Sequence, residues 1–291
     1  MKKILAVVLT AILAVATCVG LVACGDNGQE NVQKDVLKVI NINLSDEDYA
    51  LAVTKDNVTL LNGVNAYLAS IKANGAFDTI VDKYFGNGTP TGYDLGTYDS
   101  TKDQLVVLTN TPFEPFEYVG DDAKYYGIDM EIAAGVAEYL NKELCIIEWL
   151  DFDTICEQAN KYSNAIVAAG LTVSEDRAEV IDFSTPYYKA SQVIIAKADD
   201  TAFDTCTTVA DVEEVLGTFT AEKKIGYQNG TTGALYVNGD EDWGFAGIAC
   251  TPSGYKTAAL AAQALINGSI DYVVVDSAPA AAIVKAMNAV N

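Results

Sequence analysis

The sequence predicts an α/β protein of two lobes, and three observations indicate this class. After Leu105, short apolar runs alternate with amphipathic segments, as strands and helices do in an α/β sheet. The extended segment 187–192 then leads into a second alternating series, which favours a crossover from one sheet to another. The chain has 291 residues, of which 50% are hydrophobic, so it is long enough to bury two modest cores.

In chain order, apolar or alternating runs predict the strands, and a period of about 3.6 residues predicts the helices. The strands are expected at 36–42, 47–53, 105–109, 145–149, 164–169, 193–197 and 271–275, and a further strand is expected to begin at 224. The helices are expected at 57–85, 127–140, 152–161, 209–216, 257–266 and 280–287. Asn74-Gly75 divides the first helical region into two, and residues 86–101 show neither period.

The stretch 169–188 contains a candidate anion site. Ser174 can cap a short helix whose first turn contains Arg177, a position where a cation opposes the helix dipole. One interpretation is that Arg177 binds an anion together with nearby backbone N–H groups. The other is that it pairs with an acid of its own helix, Glu179 or Asp182. The residues alone leave both open.

The same stretch resembles the signature of family 3 extracellular solute-binding proteins, the polar amino acid receptors of ABC importers. The resemblance implies a two-lobed, periplasmic-binding-protein-like fold of type II (a Venus flytrap), whose lobes close on an amino acid and present it to a permease. In that family, a strand end, a threonine and the arginine bind the ligand's α-carboxylate. The matching residues here are Ala169, Gly170, Thr172 and Arg177.

A second candidate site lies in residues 224–233, which predict a strand, a loop of glycine and threonine, and the start of a helix. The run Gly230-Thr231-Thr232-Gly233 suggests either a phosphate cradle or a close-packed turn. It lacks the lysine and the full spacing of a P-loop, which weakens the first interpretation. By resemblance, this loop is the small lobe's clamp on the carboxylate, with Gln228, Thr231 and Thr232 nearest the ligand.

Asp276 directly follows the predicted strand 271–275, at the carboxyl end where α/β ligand sites cluster. On position alone it could equally cap the next helix. By resemblance, it receives the ligand's α-ammonium group. Arg177 and Asp276, from opposite lobes, would then complement the two charges of a zwitterion.

Further residues match positions around the ligand's side chain. Phe113 and Phe152 match the family's aromatic walls, although aromatic side chains more often belong to a core. Asn110 matches a position that is acidic in many members, including receptors for basic side chains. Its neutrality favours an uncharged polar ligand such as glutamine. Glu114, close by, could reverse that preference, so the specificity stays open.

The segments that resemble the family stand in an unusual order. Residues 48–53, 65–68 and 74–86 resemble the carboxy-terminal end of these proteins, yet they precede 105–118, which resembles their beginning. The simplest interpretation is a circular permutation, with 86–103 as the linker that joins the original termini. The alternative is a helix pair fused as a separate domain in front of an ordinary receptor.

The permutation predicts the domain organisation. The expected domains are a small lobe of 36–47 plus 192–291 and a large lobe of 48–191, which includes the linker and the hinge. Residues 36–42 should then pair in the small lobe's sheet, and the helices of 57–85 should pack on the lobe that contains Arg177. Asn291 should lie near Asp35.

The amino-terminal residues have the pattern of a secretory signal, because Lys2 and Lys3 precede an apolar run. Leu21-Val22-Ala23-Cys24 resembles a bacterial lipobox. We therefore expect a signal peptide at 1–23, a lipid on Cys24 and a tether at 24–35, which together would hold the protein on the extracytoplasmic face of the cell membrane. The alternative is an uncleaved transmembrane anchor, because about 20 apolar residues can span a bilayer.

Composition argues against several function classes. Without Lys2 and Lys3, sixteen basic residues stand against 40 acidic ones, and this net charge of −24 disfavours nucleic acid as a partner. The chain has no histidine and no Cys-x-x-Cys pair, which argues against a zinc site and against a histidine-based triad. We expect no metal, no cofactor and no enzymatic activity. The expected state is a monomer with an amino acid and a permease as partners.

Two alternatives stay open. The cysteines could form disulfides, as Cys145–Cys156 or Cys206–Cys250, or remain separate thiols. The leading alternative function is an enzyme on the same scaffold, since proteins that the chain resembles include a cyclohexadienyl dehydratase. That chemistry needs an acid placed over a buried ligand, and Glu114 is the candidate.

The lipid anchor is tested by Cys24→Ala. The variant should be released into the medium or accumulate as an unprocessed precursor, because it lacks the thiol that would carry the lipid. Cell fractionation and immunoblotting measure this, with Cys18→Ala, a leader cysteine outside the lipobox, as the control. Membrane retention of an uncleaved wild-type chain that carries no lipid would support the transmembrane alternative.

Overall fold

The computed structural model describes residues 34–290 of the chain. The predicted signal peptide 1–23, the lipidation site Cys24, residues 24–33 of the predicted tether, and Asn291 lie outside the described residues. What the sequence predicts for them therefore remains a prediction. Within residues 34–290, no helix is both long enough and apolar enough to cross a membrane.

The elements follow the predicted order, with the predicted strand 47–53 divided into two short strands. The strands are β1 (Leu37–Ile40), β2 (Glu47–Tyr49), β3 (Ala52–Thr54), β4 (Gln104–Thr109), β5 (Tyr118–Val119), β6 (Tyr125–Tyr126), β7 (Glu143–Glu148), β8 (Ala165–Val167), β9 (Ile181–Phe183), β10 (Tyr188–Ala190), β11 (Gln192–Lys197), β12 (Lys224–Gln228), β13 (Thr251–Tyr255) and β14 (Tyr272–Asp276). The helices are α1 (Val58–Asn74), α2 (Ala76–Phe85), α3 (Ile128–Tyr139), α4 (Ile155–Ala159), α5 (Glu175–Val180), α6 (Val209–Gly217), α7 (Thr232–Asn238), α8 (Ala258–Ile266) and α9 (Ser277–Val290).

The sheet of the large lobe has the strand order β7-β4-β8-β3-β9. β4 is parallel to β7 and β8, and β3 lies antiparallel between β8 and β9. All six residues of β4 are buried, as expected for a central strand covered on both faces. β4 and β8 therefore end at the same edge of the sheet.

Helices α1 and α2 belong to this lobe, which confirms the predicted packing of 57–85. Asn57 caps α1 by accepting a hydrogen bond from the Leu60 N–H at 3.0 Å, and Gly75, with φ of 79°, ends it. The buried residues of α1 are Leu60, Val64, Leu68 and Ile71, the predicted apolar stripe. Both helices pack on α3, so they do not form a separate domain.

The sheet of the small lobe has the order β1-β11-β14-β12-β13. β12 is parallel to β13 and β14, whereas β11 is antiparallel to β14 and β1 is antiparallel to β11. Helices α7 and α8 pack on β12 and β14, and α9 packs on β1 and β11. The predicted pairing of 36–42 in this sheet is confirmed.

Asn288, near the end of α9, holds the first strand in place. Its Oδ1 accepts hydrogen bonds from the Val36 N–H at 2.9 Å and the Leu37 N–H at 3.0 Å. Its Nδ2 donates to the Leu37 carbonyl at 3.0 Å. Residues 36–37 therefore lie beside residue 288, which agrees with the expected neighbourhood of the two chain ends as far as the described residues reach.

The two lobes are joined where β2 pairs antiparallel with β10, and this ribbon lies at the predicted lobe boundaries, 47–48 and 191–192. The predicted linker runs along the large lobe's surface. Tyr93 bridges to Tyr125, and the Gly96 N–H donates to the Ile146 carbonyl at 2.8 Å, at the edge strand β7. The linker thereby covers one exposed sheet edge.

Some elements escaped the sequence analysis. β13 contains Pro252 and Gly254 and is largely exposed, so it has neither the composition nor the alternation of a strand, and it lies at the sheet edge where proline is tolerated. β5 and β6 are two residues each. The disulfide alternative is not realised, because all of Cys145, Cys156, Cys206 and Cys250 are free.

Candidate functional site

A cleft lies between the two lobes and collects the residues predicted from the sequence. Its lining comprises Asn110, Phe113, Glu117, Phe152, Ala169, Gly170, Thr172, Arg177, Gln228, Thr231, Thr232 and Asp276. Every predicted ligand-binding residue is in this set, and Glu117 is the one addition. These residues meet because β4, β8, β12 and β14 all end near the cleft, as strands do at α/β ligand sites.

Arg177 lies in the first turn of α5. The Ser174 side chain caps this helix by accepting a hydrogen bond from the Arg177 N–H at 3.3 Å, as predicted. The guanidinium donates to the Thr172 carbonyl at 2.6 Å and to the Gly230 carbonyl of the other lobe at 2.8 Å. It also lies over the ring of Phe152, 5.5 Å from the ring centre.

The alternative pairing of Arg177 with an acid of its own helix is not formed. Asp182 instead pairs with Lys55 at 3.0 Å and accepts the Asp56 N–H at 2.8 Å. Two of the five guanidinium N–H donors are taken by carbonyls, which carry no net charge. The remaining donors and the positive charge are free to serve an anion in the cleft.

Gly170 lines the cleft in a conformation that a side chain would disturb. Its φ is 53°, and a β-carbon there would lie 2.7 Å from Cε1 of Phe113. Its N–H donates at 2.9 Å to Asp129, which is fully buried and also accepts the Tyr187 hydroxyl. Burial raises the pKa of Asp129 to about 6, although these two hydrogen bonds oppose the shift.

The loop 230–233 packs as a tight turn against the large lobe. Gly230 has φ of 73°, and a β-carbon there would lie 2.6 Å from the Asp153 Cα across the cleft. Thr231 caps α7, and its hydroxyl donates to the Gln228 carbonyl at 2.8 Å. This packing favours the turn interpretation over the phosphate cradle, and it brings Thr231 and the buried Thr232 to the cleft.

Asn110 joins the two lobes. Its Oδ1 accepts a hydrogen bond from Gln228 Nε2 at 2.9 Å, and its Nδ2 donates to the Trp149 carbonyl at 2.7 Å. Both ends of the amide therefore have a protein partner. These contacts use one acceptor site and one donor of the amide, so they leave the preference for an uncharged ligand as a prediction.

Asp276 faces the cleft from the end of β14 and is only 5% exposed. The Tyr49 hydroxyl, from the hinge strand, donates to its Oδ1 at 2.5 Å. Burial raises the pKa of Asp276 to about 7, repulsion from Glu47 adds to the shift, and hydrogen bonds from Tyr49 and Gln192 oppose it. A cation placed beside Asp276 would favour its charged form.

Glu117 is the residue that sequence reasoning missed. It is 1% exposed, and its Oε2 has no hydrogen-bond partner among the described residues. Burial raises the pKa of Glu117 well above its ordinary value, and Asp129 and Asp276 add to the shift by repulsion. The predicted Glu114, three residues earlier, is exposed and does not line the cleft.

The lining is unbalanced in charge. Glu117 and Asp276 bring two buried carboxyls, while Arg177 is the single basic residue among the lining residues. A buried carboxylate without a partner is costly, and this imbalance suits a ligand that brings positive charge. The cleft can therefore bind a small zwitterion.

Residues 105–287 match the family described as bacterial extracellular solute-binding proteins, family 3. The ABC transporter arginine-binding protein 1 of Escherichia coli (strain K12) is 28% identical over 138 residues, which are 47% of this chain and 51% of that protein. The chain thus spans about half the length of this curated relative. Other matched relatives are named as arginine-, histidine- or cystine-binding proteins.

Solved structures show the same resemblance. Holo ArgBP from T. maritima superposes with a TM-score of 0.51 and 31% identity over 63% of this chain and 73% of that one. An ancestral amino acid-binding protein, a precursor of cyclohexadienyl dehydratase, superposes with a TM-score of 0.53 and 25% identity over 64% of this chain and 75% of that one. These neighbours are two-lobed amino-acid-binding proteins, which agrees with the fold class predicted from the sequence.

The raised pKa of Asp276 predicts an effect on stability. A folded-state pKa of about 7, above the ordinary value of about 4, means that stability of the ligand-free protein is lost as pH rises between these values. Asp276→Asn cannot ionise, so its stability relative to the wild type should increase by on the order of 2 kcal/mol between pH 5 and pH 8.

Chemical denaturation of the ligand-free proteins at both pH values measures this difference. Asp199→Asn, which removes an exposed carboxylate from the same lobe, is the control and should change little. A stability difference between Asp276→Asn and the wild type that is the same at both pH values would contradict the assigned environment of Asp276.

Proposed function

The chain belongs to the bacterial extracellular solute-binding proteins of family 3, and from that premise we propose that it captures an L-amino acid for an ABC importer. The observation that carries the proposal is the cleft itself, where Arg177 and Asp276 face one volume from opposite lobes. Both side chains are held by neutral partners and keep their charge available. The permease as receiving partner is inferred from the family.

Opposite charges on the two lobes suit an α-amino acid, whose carboxylate and ammonium groups are one carbon apart. In this proposal the carboxylate takes the free donors of Arg177, with Thr172 and the loop of Thr231 and Thr232 around it, and the ammonium group donates to Asp276. Charge-assisted hydrogen bonds contribute roughly 1.5–3 kcal/mol each. Micromolar affinity requires about 8 kcal/mol, so a few such contacts are enough.

Binding would be coupled to closure, because the cleft residues also join the lobes. Arg177 bonds to the Gly230 carbonyl, and Gln228 bonds to Asn110, each across the cleft. We take this arrangement as the closed form that a permease would receive. A ligand that occupies both charge clamps would favour it over an open form by its differential affinity for the two.

We propose that the ligand's side chain is cationic. The reason is Glu117, a buried carboxyl with an unpartnered oxygen in the cleft. After Arg177 and Asp276 have bound the two α-groups, a second positive charge would satisfy it, and Phe113 and Phe152 would flank the aliphatic part. The named arginine-binding relatives support this choice.

A second candidate function rests on the same residue. A buried carboxyl whose pKa is raised by burial can act as a general acid, so Glu117 rather than the exposed Glu114 is the candidate for chemistry of the cyclohexadienyl dehydratase type. Incubation with prephenate and detection of phenylpyruvate tests it. Product formation that Glu117→Gln abolishes would favour the enzyme over the receptor.

The location follows the family and the leader. We propose that the protein is exported, lipidated at Cys24 and held as a monomer on the extracytoplasmic face of the membrane, within reach of its permease. The lipid would be its sole contact with the bilayer, since the net charge of −24 that remains after removal of the leader disfavours adsorption to an anionic surface.

We also propose that the chain is circularly permuted. The family match covers 105–287, yet β1, β3, α1 and α2, which precede it, complete the two sheets and the packing of the lobes. Asn288 beside Val36 supports an original connection at that point. Permutation changes which loops are closed and leaves the packed contacts intact, so it should cost little stability.

The proposed function predicts that Arg177→Ala abolishes amino acid binding while the fold survives. The loss should be about 100-fold or more, because a buried carboxylate would lose its cation. Arg177→Lys should restore little, since an ammonium group lacks the planar fork. Calorimetry with the twenty L-amino acids measures binding, and circular dichroism checks the fold. A folded Arg177→Ala protein with wild-type affinity would overturn the assignment.

The cationic ligand predicts a preference of L-arginine over L-citrulline, its neutral analogue of nearly equal shape. Glu117→Gln should reduce that preference by about tenfold or more, because the buried charge pair is lost. Glu114→Gln, the matched exposed glutamate, should leave it unchanged. Calorimetric titration of both ligands decides this, and equal affinities of the wild type for arginine and citrulline would contradict the proposed ligand class.

The permutation predicts that a chain in the usual family order folds and binds. Such a chain begins at Gln104, joins Asn291 directly to Val36, and ends at Gly86. Its circular dichroism spectrum and its amino acid affinity should match those of the natural order, because the contacts among the strands and helices are retained and only those of the linker are lost. A rearranged chain that fails to fold, when the natural order folds, would speak against the permutation.

A further inference from the structure

The hinge strand β2 presents two buried side chains on one face. Glu47 and Tyr49 are two residues apart and are 1% and 0% exposed. Side chains of a strand alternate between faces, so these two share a face and Asp48, between them, points the other way. Asp48 accordingly pairs with Lys189, at 3.2 Å, on the outer face.

Glu47 links both lobes through its two oxygens. Oε2 accepts the Thr172 hydroxyl of the large lobe at 2.8 Å. Oε1 accepts Gln192 Nε2 of the small lobe at 2.9 Å and the Ser45 hydroxyl at 2.6 Å. Gln192 is in turn the cross-strand partner of Asp276 in the β11–β14 pair. Glu47 thus reaches the surroundings of both cleft charges.

Tyr49 makes the direct contact with the small lobe. Its hydroxyl donates to Asp276 Oδ1 at 2.5 Å, while its ring packs edge-on against Phe116 of the large lobe, with ring centres 5.0 Å apart. The ring is therefore fixed by one lobe and its hydroxyl is bonded to the other. Any change at the hinge that moves β2 must lengthen or break this bond.

We propose that Glu47 and Tyr49 are positioning residues, which act from one face of the hinge strand. They hold Asp276 in place for the ligand's ammonium group, and they thereby couple ligand binding to the hinge. This inference rests on the proposed function, in which Asp276 receives that group. Neither residue lines the cleft, so each acts through Asp276 and Thr172 rather than by touching the ligand.

The two residues act on the charge of Asp276 in opposite directions. The Tyr49 hydrogen bond stabilises the carboxylate, whereas the negative charge of Glu47 disfavours it. The other charged groups that interact with Asp276 are Arg177 from α5 and Glu117 from the segment after β4. The whole chain has no histidine, the side chain that ordinarily titrates near pH 7. A pH dependence of ligand affinity there would come from carboxyls of this cluster.

The first test uses the ligand-free full-length protein. Carbon-13 NMR of the Asp276 carboxyl is followed from pH 4 to 9 in the wild type, Tyr49→Phe, Glu47→Gln and the control Asp48→Asn, which removes a carboxylate from the opposite face of the same strand. The Asp276 midpoint should rise in Tyr49→Phe, fall in Glu47→Gln and stay within a few tenths of a pH unit in Asp48→Asn. Midpoints that do not move, that move in the same direction, or that move equally in the control would overturn the proposal.

The second test measures L-arginine affinity against pH in the same four proteins. With Asp276 titrating near pH 7, the wild-type affinity should fall about tenfold between pH 8 and pH 6. The fall should begin at higher pH in Tyr49→Phe and at lower pH in Glu47→Gln, which a merely structural role would not produce. If the affinity curve of Tyr49→Phe or of Glu47→Gln against pH coincides with the wild-type curve, the proposal is overturned. If the NMR midpoints separate as expected but the wild type binds no L-arginine at any pH, the proposed function fails while the positioning of Asp276 stands.

Discussion

Arg177 and Asp276 face one cleft from opposite lobes, and the groups that hydrogen-bond to them are carbonyls and a phenol, none of which carries a formal charge. Burying a charge without an opposite charge is costly, so a ligand that carries both a positive and a negative charge would stabilise this arrangement. Much of the surrounding structure meets that constraint. The strand ends bring the two charged side chains to one cleft. Gly170 and Gly230 allow their backbones to lie close to Phe113 and Asp153, where a β-carbon would not fit. The hinge strand contacts Asp276 through Tyr49.

The order of the segments along the chain matters less than the contacts they make. β1 is separated in sequence from its partner β11, yet their register and the Asn288 hydrogen bonds place it firmly at the edge of the small lobe's sheet. Hydrophobic packing and sheet pairing depend on which surfaces meet, and the entropy of closing a longer loop grows only slowly with its length. A permuted order is therefore compatible with the same two-lobed fold and the same cleft.

Sequence reasoning succeeded where the signal is local or carried by resemblance. The Ser174 cap and the position of Arg177 follow from neighbouring residues, and the alternation of strands and helices follows from periodicity. Glu117 was missed because it lies in an irregular segment, where neither a period of 2 nor one of 3.6 tells a buried carboxyl from the exposed Glu114. Asn110 could not be interpreted from sequence either, since its partner Gln228 lies across the cleft, 118 residues away.

The most direct measurement of the central claim is a crystal structure of the protein with L-arginine. We expect the α-carboxylate on the Arg177 guanidinium, the α-ammonium group on Asp276 and the ligand's guanidinium within hydrogen-bond distance of Glu117. A ligand with its carboxylate away from Arg177, or with its ammonium group away from Asp276, would contradict the proposed roles of these two residues.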